Sequence, residues 1–386
     1  MNKGSDKFKY VIGINSGTSV DSLDVVLVKI KGFDISTEIK VLKYQEYKYP
    51  EGIRNLVFEC FSNSSSTVEK ICSLNFVLGR FYAKKIMEFI KTAPVKNIDF
   101  IGSHGQTVYH NPSNKKVCGI STKSSLQLGD PSVIAAITGI DTVGEFRYSD
   151  IALGGDGAPL VPFLDYILFR DKNKSRLLVN IGGISNITFL DKNCNKKDIV
   201  AFDTGPGNIL IDLSMKLLFN KDFDTNGTIA SKGKFDREIF DILRKTDKFI
   251  YRKPPKSSGR EHYNYPLLQR ILNERKFLRE DIINTLTYYT YFGIRFNVEN
   301  FINKNIDEVY ITGGGSKNLY LMKLLREFFG EKKIKKFDFY GINESNKEAV
   351  LFAILANEAM NRNPANIPSV TGSKDNVILG KICYAK

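Results

Sequence analysis

The segment 17–24, which reads GTSVDSLD, combines the small, hydroxyl-bearing and acidic residues that phosphate chemistry needs. Small residues let the backbone approach a ligand closely, and backbone N–H groups together with the hydroxyls of Thr18 and Ser19 can hold phosphate oxygens. Asp21 can hold a magnesium ion, directly or through water. Taken alone, such a turn is weak evidence for a phosphate site, because many turns of this composition bind no phosphate.

Two further glycine turns offer the same chemistry. Residues 180–186 read NIGGISN, and residues 309–316 read VYITGGGS and lead into a helical pattern. A strand, a glycine turn and a helix form a common arrangement for cradling a phosphate or a nucleotide. The chain has no GxxxxGKS or GxxxxGKT motif, which disfavours a P-loop kinase. No GxGxxG opens a helix after the first strand, which disfavours a Rossmann site.

The segment 201–208, which reads AFDTGPGN, places one acid on a rigid loop after a short strand. An aspartate held in that way can act as a general base. The competing interpretation is a turn-forming aspartate that caps the following helix, and from this segment alone capping is favoured. Asp203 is therefore a candidate base that needs support from elsewhere in the chain.

The elements around the first turn recur later in the chain. Residues 9–30 read as a strand, a polar turn and a second strand, and residues 176–190 repeat the pattern. Any hairpin of an α/β protein shares this pattern, but the polar turns favour an internal duplication with one phosphate loop in each half. We also expect a strand pair within 38–49, a helix over 68–92 and a last helix, 347–362, buried between the domains.

The composition is that of a globular protein of about two domains, with 386 residues, 42% hydrophobic and 25% charged. The net charge of +14 is compatible with nucleic acid, but the lysines are spread along the chain, so we interpret the excess as solvated surface that attracts anionic ATP. Five scattered cysteines without a CxxC pair disfavour a disulfide framework and a structural zinc site. Without a recognisable leader or membrane helix, we expect a cytoplasmic protein with no nucleic-acid and no membrane partner.

Nine segments resemble the anhydro-N-acetylmuramic acid kinases, members of the actin/hexokinase/Hsp70-like ATPase superfamily. In order they are INSGTSVDSLD, GSHGQTVYHNP, LQLGD, DIALGGDGAPLVP, VNIGGISN, FDTGPGN, PPKSSGREHYN, ITGGGSKN and NIPSVTG. The resemblance implies an α/β fold of two actin-like (ribonuclease H-like) domains that flank a nucleotide and sugar cleft, and it implies a homodimer. We place residues 1–170 plus 363–386 in domain I and residues 171–362 in domain II.

The resemblance also implies a reaction between ATP and a 1,6-anhydro sugar. Water attacks C1, the anhydro bridge opens, and the freed 6-oxygen takes the γ-phosphoryl group, which gives N-acetylmuramate 6-phosphate during cell-wall recycling. Asp203 is then the general base, and Mg²⁺ is held by Asp21 and Glu348, directly or through water.

The remaining roles implied by the resemblance are contacts with the sugar and with ATP. Sugar contacts fall to His104, Gln106, Arg147 and Asp150. ATP and its phosphates are assigned to Gly17, Thr18, Ser19, Val20, Asp21, Ser22, Leu23, Asp24, Gly182, Gly183, Gly205, Gly207, Asn208, Gly313, Gly314, Gly315 and Ser316. Lys256 and Arg260 are candidates for contacts with anionic groups, with an ordinary surface position as the alternative.

Two places depart from the family pattern. Ser22 stands where the family usually has glycine, which is costly if the position needs a positive φ and acceptable if it needs only a small side chain. Tyr148 and Ser149 replace two of three family arginines, and arginines bind carboxylates such as the lactyl group of N-acetylmuramate well. A kinase for a neutral anhydro sugar such as levoglucosan is therefore the enzymatic alternative. A non-catalytic sugar or nucleotide sensor is the alternative of another class.

Overall fold

The computed structural model describes residues 7–17, 19–259, 262–272, 277–337 and 339–386. In these ranges the strands are β1 Lys9–Ser16, β2 Ser22–Lys31, β3 Glu38–Lys48, β4 Phe100–Val117, β5 Ile120–Leu128, β6 Thr142–Gly144, β7 Arg176–Ile181, β8 Ile184–Leu190, β9 Val200–Pro206, β10 Glu308–Thr312, β11 Ile334–Lys335 and β12 Lys381–Cys383. The helices are α1 Glu51–Cys60, α2 Val68–Lys91, α3 Pro131–Thr138, α4 Tyr148–Ala152, α5 Val161–Phe169, α6 Ile209–Phe219, α7 Arg237–Thr246, α8 Tyr265–Leu272, α9 Arg279–Phe301, α10 Leu319–Phe329, α11 Lys347–Met360 and α12 Pro368–Thr371.

The described residues form two compact units, 7–168 with 339–386 and 169–337. The division predicted from the sequence, 1–170 plus 363–386 and 171–362, differs at its second boundary. The physical reason is α11, which lies in the predicted second domain but packs on the sheet of the first unit. A Cβ atom on Gly13 would overlap the carbonyl oxygen of Ala349, and one on Gly102 would overlap that of Phe352. The two glycines thus let the helix backbone rest directly on β1 and β4.

The first unit is built on one mixed sheet with the order β12-β6-β4-β1-β2-β3, and β5 pairs with β4 as a hairpin. Strands β1, β2 and β3 are antiparallel neighbours, whereas β1 runs parallel to β4 and β4 to β6. Alternate residues of β1 point to opposite faces, so Gly13 faces α11 while Ile12 and Ile14 join a core cluster with α2. In α2, Leu74 and Leu78 belong to that cluster.

The second unit repeats the order of the first four strands of the first unit. Its sheet runs β11-β10-β7-β8-β9, with β7, β8 and β9 antiparallel and β10 parallel to β7 and β11. In both sheets the order is therefore third, second, first and fourth strand of the unit, followed by β6 and β12 in the first sheet and by β11 in the second, where α9 and α10 pack. The predicted duplication and the predicted fold class, α/β with two actin-like domains, are confirmed.

One local prediction differs from the structure. The expected strand pair within 38–49 is the single strand β3, which pairs with β2. The helix expected over 68–92 is confirmed as α2. No helix in the described ranges combines the length and the hydropathy needed to cross a bilayer.

Candidate active site

Buried hydroxyl and amide groups hold the end of β1, where the first turn begins. The hydroxyl of Ser16 donates to Gln106 Oε1, and Tyr49 donates to the Ser16 oxygen at 2.9 Å. The carbonyl of Gly17 accepts from the backbone N–H of Val20 at 3.1 Å, and Val20 itself has a φ of 55°. The predicted phosphate contact Thr18 lies outside the described residues. This network fixes the end of β1 where the turn begins.

Side chains of the first turn divide into buried and accessible ones. Val20 and Leu23 are fully buried in the core, so only their backbone groups can reach a ligand. Ser19 and Asp21 are exposed, and Asp21 forms an ion pair of 3.2 Å with Arg54. Ser22 begins β2 and is not among the residues with a positive φ, so a small side chain satisfies this position and serine fits.

A row of three polar residues crosses the first sheet beside this turn. Asn15 of β1 pairs with Asp24 of β2, and Asp24 pairs with Glu46 of β3. Glu348, in the first turn of α11, accepts a hydrogen bond of 2.6 Å from Asn15 Nδ2. Burial, together with the neighbouring carboxylates of Glu46 and Glu348, raises the pKa of Asp24 to about 6. The row therefore concentrates negative charge, and the Tyr44 hydroxyl, which donates to Asp24 Oδ1 at 2.9 Å, offsets only part of its effect on the Asp24 pKa.

His104 and Arg147 form a second group beside α11. The His104 ring stacks on Phe352 with a centroid distance of 4.3 Å, and Arg147 Nη2 lies 3.0 Å from His104 Nε2. Burial and the nearby guanidinium hold the pKa of His104 well below its ordinary value. The imidazole is therefore neutral and accepts from Arg147 through Nε2, which leaves the proton on Nδ1. Burial also lowers the pKa of Arg147 to about 10, and its Nη1 donates to the Gly157 carbonyl at 2.8 Å.

Two residues predicted to contact the sugar are enclosed. Asp150 has no exposed surface and accepts from Asn366 Nδ2 at 3.0 Å, from the Thr371 hydroxyl at 2.8 Å and from the Gly157 N–H at 2.9 Å. Gln106 is also fully buried and holds Ser16. Both side chains therefore hold neighbouring segments in the structure, and their contact with the sugar stays a prediction.

In the second unit, the second glycine turn meets the start of α6. The carbonyl of Gly183 accepts from the N–H of Gly207 at 2.8 Å, and the carbonyl of Gly182 accepts from the N–H of Asn208 at 2.8 Å. A Cβ atom on Gly207 would overlap the Gly182 carbonyl, so this contact requires glycine. These predicted phosphate residues therefore lie together, and the carbonyl groups of the turn already accept hydrogen bonds from the start of α6. Gly205 precedes them in β9 with a φ of 139°.

The third glycine turn joins the same place. Gly313 has a φ of 85°, and a Cβ there would lie 2.6 Å from the carbonyl oxygen of Ile181. A Cβ on Gly315 would overlap the side chain of Ile181, and the Ser316 hydroxyl donates to the Gly313 carbonyl at 2.8 Å. Residues 181–183, 207–208 and 313–316 therefore form one cluster in the second unit.

A cavity of about 400 Å³ opens beside this cluster. Burial raises the pKa of Asp212, which lies in the cavity wall, to about 6. The lining residues are Asn208, Ile211, Asp212, Phe223, Asp224, Thr225, Asn226, Gly314, Lys317 and Asn318. The size and the mixture of apolar and polar groups suit a nucleoside-sized ligand.

Asp203 lies in β9 and is held by the loop that follows α7. Ser258 N–H donates to Asp203 Oδ2 at 2.7 Å, and the Asp203 N–H donates to the Lys256 carbonyl at 3.1 Å. The residue at the N-cap of α6 is Asn208, and Asp203 lies within the preceding strand. The capping interpretation of Asp203 is therefore wrong, and the half-buried carboxylate is oriented by a backbone N–H. Arg260 of the same loop lies outside the described residues.

Comparison with known proteins decides the family. The family model for anhydro-N-acetylmuramic acid kinase matches residues 9–385. The chain therefore belongs to the anhydro-N-acetylmuramic acid kinase family. It is 42% identical over 383 residues to the anhydro-N-acetylmuramic acid kinase of Caldanaerobacter subterraneus subsp. tengcongensis, covering 97% of this chain and 96% of the relative. It is 44% identical over 385 residues to that of Francisella tularensis subsp. novicida, covering 98% and 99%.

Among solved structures, a ROK hexokinase from Thermus thermophilus covers 89% of this chain and 97% of its own, with 11% identity and a TM-score of 0.37. As a member of the family shown by its sequence, the protein is an enzyme and a sugar kinase.

Sequence analysis assigned no role to several residues that the structure places at or beside the candidate site. Asn15, Glu46 and Ser258 contact predicted site residues, and Asp212 and Phe223 line the cavity. Asn15 and Glu46 carried one usable signal, since each interrupts a strand pattern with a polar residue. The contacts of Ser258 and Asp212 depend on how a loop and a helix turn toward the sheet, which no local pattern records.

Proposed function

We propose that the protein transfers the γ-phosphoryl group of ATP to 1,6-anhydro-N-acetylmuramic acid while water opens the anhydro ring, which yields N-acetylmuramate 6-phosphate for cell-wall recycling. The observation that carries the proposal is the family match over residues 9–385. A cytoplasmic location and a homodimer are parts of the same proposal and rest on the family resemblance alone.

The proposed reaction needs one base, which accepts the proton of the attacking water. The water oxygen bonds to C1 as the C1–O6 bond breaks, and O6 bonds to the γ-phosphorus as ADP leaves. Asp203 takes the proton that the water releases, because the Ser258 N–H holds its Oδ2 at 2.7 Å and fixes the direction of the carboxylate. Breaking a strained bicyclic acetal and phosphorylating the freed oxygen are thus served by one base.

We assign the nucleoside of ATP to the 400 Å³ cavity. Asp212 is the polar group that a nucleoside would use there, because a half-buried carboxylate needs hydrogen-bond donors. Replacement Asp212→Asn is expected to raise KM for ATP about fivefold, the loss of about 1 kcal/mol of hydrogen bonding, and to leave kcat unchanged. Asp222→Asn, at an exposed carboxylate beyond the end of α6, is the matched control. Equal KM values for the two variants would remove the nucleoside from this cavity.

Mg²⁺ is a further part of the proposal, and the residues present fit it. The described residues contain no group of three acidic, histidine or cysteine ligands, and Mg²⁺ commonly uses one or two carboxylates, waters and substrate phosphates. Glu348 and Asp21 would hold it through water; Glu348 is one of the carboxylates that, together with burial, raise the pKa of Asp24. When bound with ATP, the ion neutralises charge on the β- and γ-phosphates.

The test is ATP consumption by the purified protein with Mg²⁺, with anhydro-N-acetylmuramic acid and levoglucosan offered in parallel. Turnover with the first sugar, and a product heavier by one water and one phosphoryl group, is the expected result. In water enriched in ¹⁸O, the label is expected at C1 and absent from the phosphoryl group. Turnover with levoglucosan alone would replace the proposed substrate, and no turnover with either would favour a sensor.

A further inference from the structure

Lys256 was a candidate for binding an anion, but its ammonium points into its own unit. Nζ donates to the carbonyl of Ile250 at 2.7 Å and to that of Phe249 at 3.3 Å. It also lies 5.1 to 5.7 Å from the centroids of three aromatic rings, those of Phe202, Phe249 and Phe301. Carbonyl oxygens and ring faces both attract a cation, so the side chain is an anchor inside the unit.

The backbone on either side of this anchor holds the candidate base. The carbonyl of Lys256 accepts from the Asp203 N–H at 3.1 Å, and two residues later the Ser258 N–H donates to Asp203 Oδ2 at 2.7 Å. The neighbouring side chains of Pro255 and Ser257 are exposed, so they contribute little burial that could fix the loop. The position of the Ser258 N–H therefore depends on the Lys256 anchor.

We propose that Lys256 is a positioning residue for Asp203: its ammonium fastens residues 256–258 to the unit so that the Ser258 N–H holds the carboxylate in the direction that catalysis needs. This inference rests on the proposed function, in which Asp203 is the base. It gives the motif PPKSSGRE, which binding of ATP or sugar did not explain, a role in the orientation of the base.

Lys256 acts on Asp203 in two ways, by fastening residues 256–258 to the unit and through its positive charge. The Asp203 charge opposes the lowering of the Lys256 pKa, which burial brings to about 8, so the two groups interact. A cation and an N–H donor both favour the ionised carboxylate, and removing them raises the pKa of the base. The other charged or titratable groups of the described residues that face this pair are Asp247, Arg252, His262 and Tyr263.

The test compares Lys256→Met with Lys253→Met, an exposed lysine of the same loop. For Lys256→Met we expect kcat to fall about 30-fold with KM for ATP unchanged, since a small displacement of a catalytic group has effects of this order. We also expect the acidic limb of the pH–rate profile to move to higher pH. Lys256→Arg retains charge and donors, so it should restore the limb to its original position and recover much of kcat.

A kcat for Lys256→Met within twofold of Lys253→Met, or an acidic limb that does not move, would overturn the inference. Asp203→Asn separates this failure from failure of the proposed function: if Asp203→Asn keeps full turnover, the base assignment itself is wrong. Circular dichroism checks that each variant folds. If Lys256→Met does not fold, Lys256→Gln, which keeps a donor without charge, is measured in its place by the same two criteria.

Discussion

The two units share the order of their first four strands but differ in the row of polar residues that crosses the first three. In the first unit the row is Asn15, Asp24 and Glu46, and in the second it is Asn180, Asn186 and Asp203. The first row holds two acids, which lie close to a third, Glu348. The second row holds one acid, Asp203, which lies beside two asparagines and the loop that contains Lys256. The two related sheets thus differ in charge: the first unit carries several neighbouring acids, and the second carries a single carboxylate that a backbone N–H orients.

A second difference concerns what packs on the same strands. Gly13 of β1 pairs with Gly102 of β4, and the helix backbone of α11 rests on this pair. At the corresponding place of the second sheet, Leu178 of β7 pairs with Tyr310 of β10, and both side chains are buried. The first unit therefore brings the start of α11, and with it Glu348, close to the sheet, which large side chains would prevent.

The largest effect is expected from Asp203→Asn, which tests whether the oriented acid of the second row is the catalytic one. We expect kcat to fall about 10³-fold, because general base catalysis contributes about 10²- to 10⁴-fold. Its counterpart in the first row, Glu46→Gln, is expected to lower kcat less than about tenfold. Steady-state turnover and ATP binding by calorimetry check both. Equal losses in the two variants would contradict the assignment of different tasks to the two rows.

The next effect is on stability and tests the glycine pair. Gly102→Ala places a methyl group against the Phe352 carbonyl of α11, so we expect the free energy of unfolding of the first unit to fall by about 3 kcal/mol. Gly52→Ala, in α1 with no atom near the added methyl group, is the control and should be neutral or slightly stabilising. Urea unfolding followed by circular dichroism measures both. Retained stability in Gly102→Ala would show that α11 does not rest on the sheet as described.

Most of the fold could be predicted from the sequence because apolar residues recur at strand or helix spacing in its main elements. The duplication was readable from two strand–turn–strand patterns, and helix α2 from apolar residues at helical spacing. The strand order and the unit to which α11 belongs were not readable, because Gly13 and Gly102 look like strand-weakening residues until a helix is placed on them.

The candidate site was predictable where a motif places both backbone and side chain, as in residues 203–208. It was not predictable where burial decides the role. Asp150 and Gln106 have the types and the motif of sugar contacts, but the motif does not predict that both side chains are fully buried. A polar residue in a family motif can serve the ligand or the loop beside it, and only the direction of the side chain separates the two.

The next smaller effect is on the pH dependence of stability, and it tests whether the acidic groups of the first row crowd Asp24. Asp24 has its pKa raised from 3.8 to about 6 by burial and neighbouring carboxylates, so the stability it contributes is present below its unfolded value and lost as pH rises through about 6. We expect the stability of Asp24→Asn relative to wild type to increase by about 1 kcal/mol between about pH 5 and about pH 8, allowing for solvent screening.

The control for Asp24 is an acid of the second unit with the opposite shift. Hydrogen bonds from Lys304 and Ser175 lower the pKa of Asp191, so its contribution is lost only as pH falls below the ordinary range. The difference between Asp191→Asn and wild type should therefore stay constant from about pH 5 to about pH 8. Urea midpoints at several pH values measure both variants, and a constant difference for Asp24→Asn would mean that the row is not crowded.

The smallest effect concerns the exposed pair of Arg54 and Asp21 at the first turn. Their ion pair is 3.2 Å long, with side chains that are 46% and 66% exposed, so solvent screens most of the attraction. Arg54→Ala is expected to change the free energy of unfolding by less than about 0.5 kcal/mol. If Asp21 holds Mg²⁺ through water, the same variant leaves the carboxylate more available and the Mg²⁺ concentration for half-maximal turnover should not rise. A marked rise would mean that Arg54 itself contacts the phosphates, and the anionic row of the first unit would then have a cation of its own.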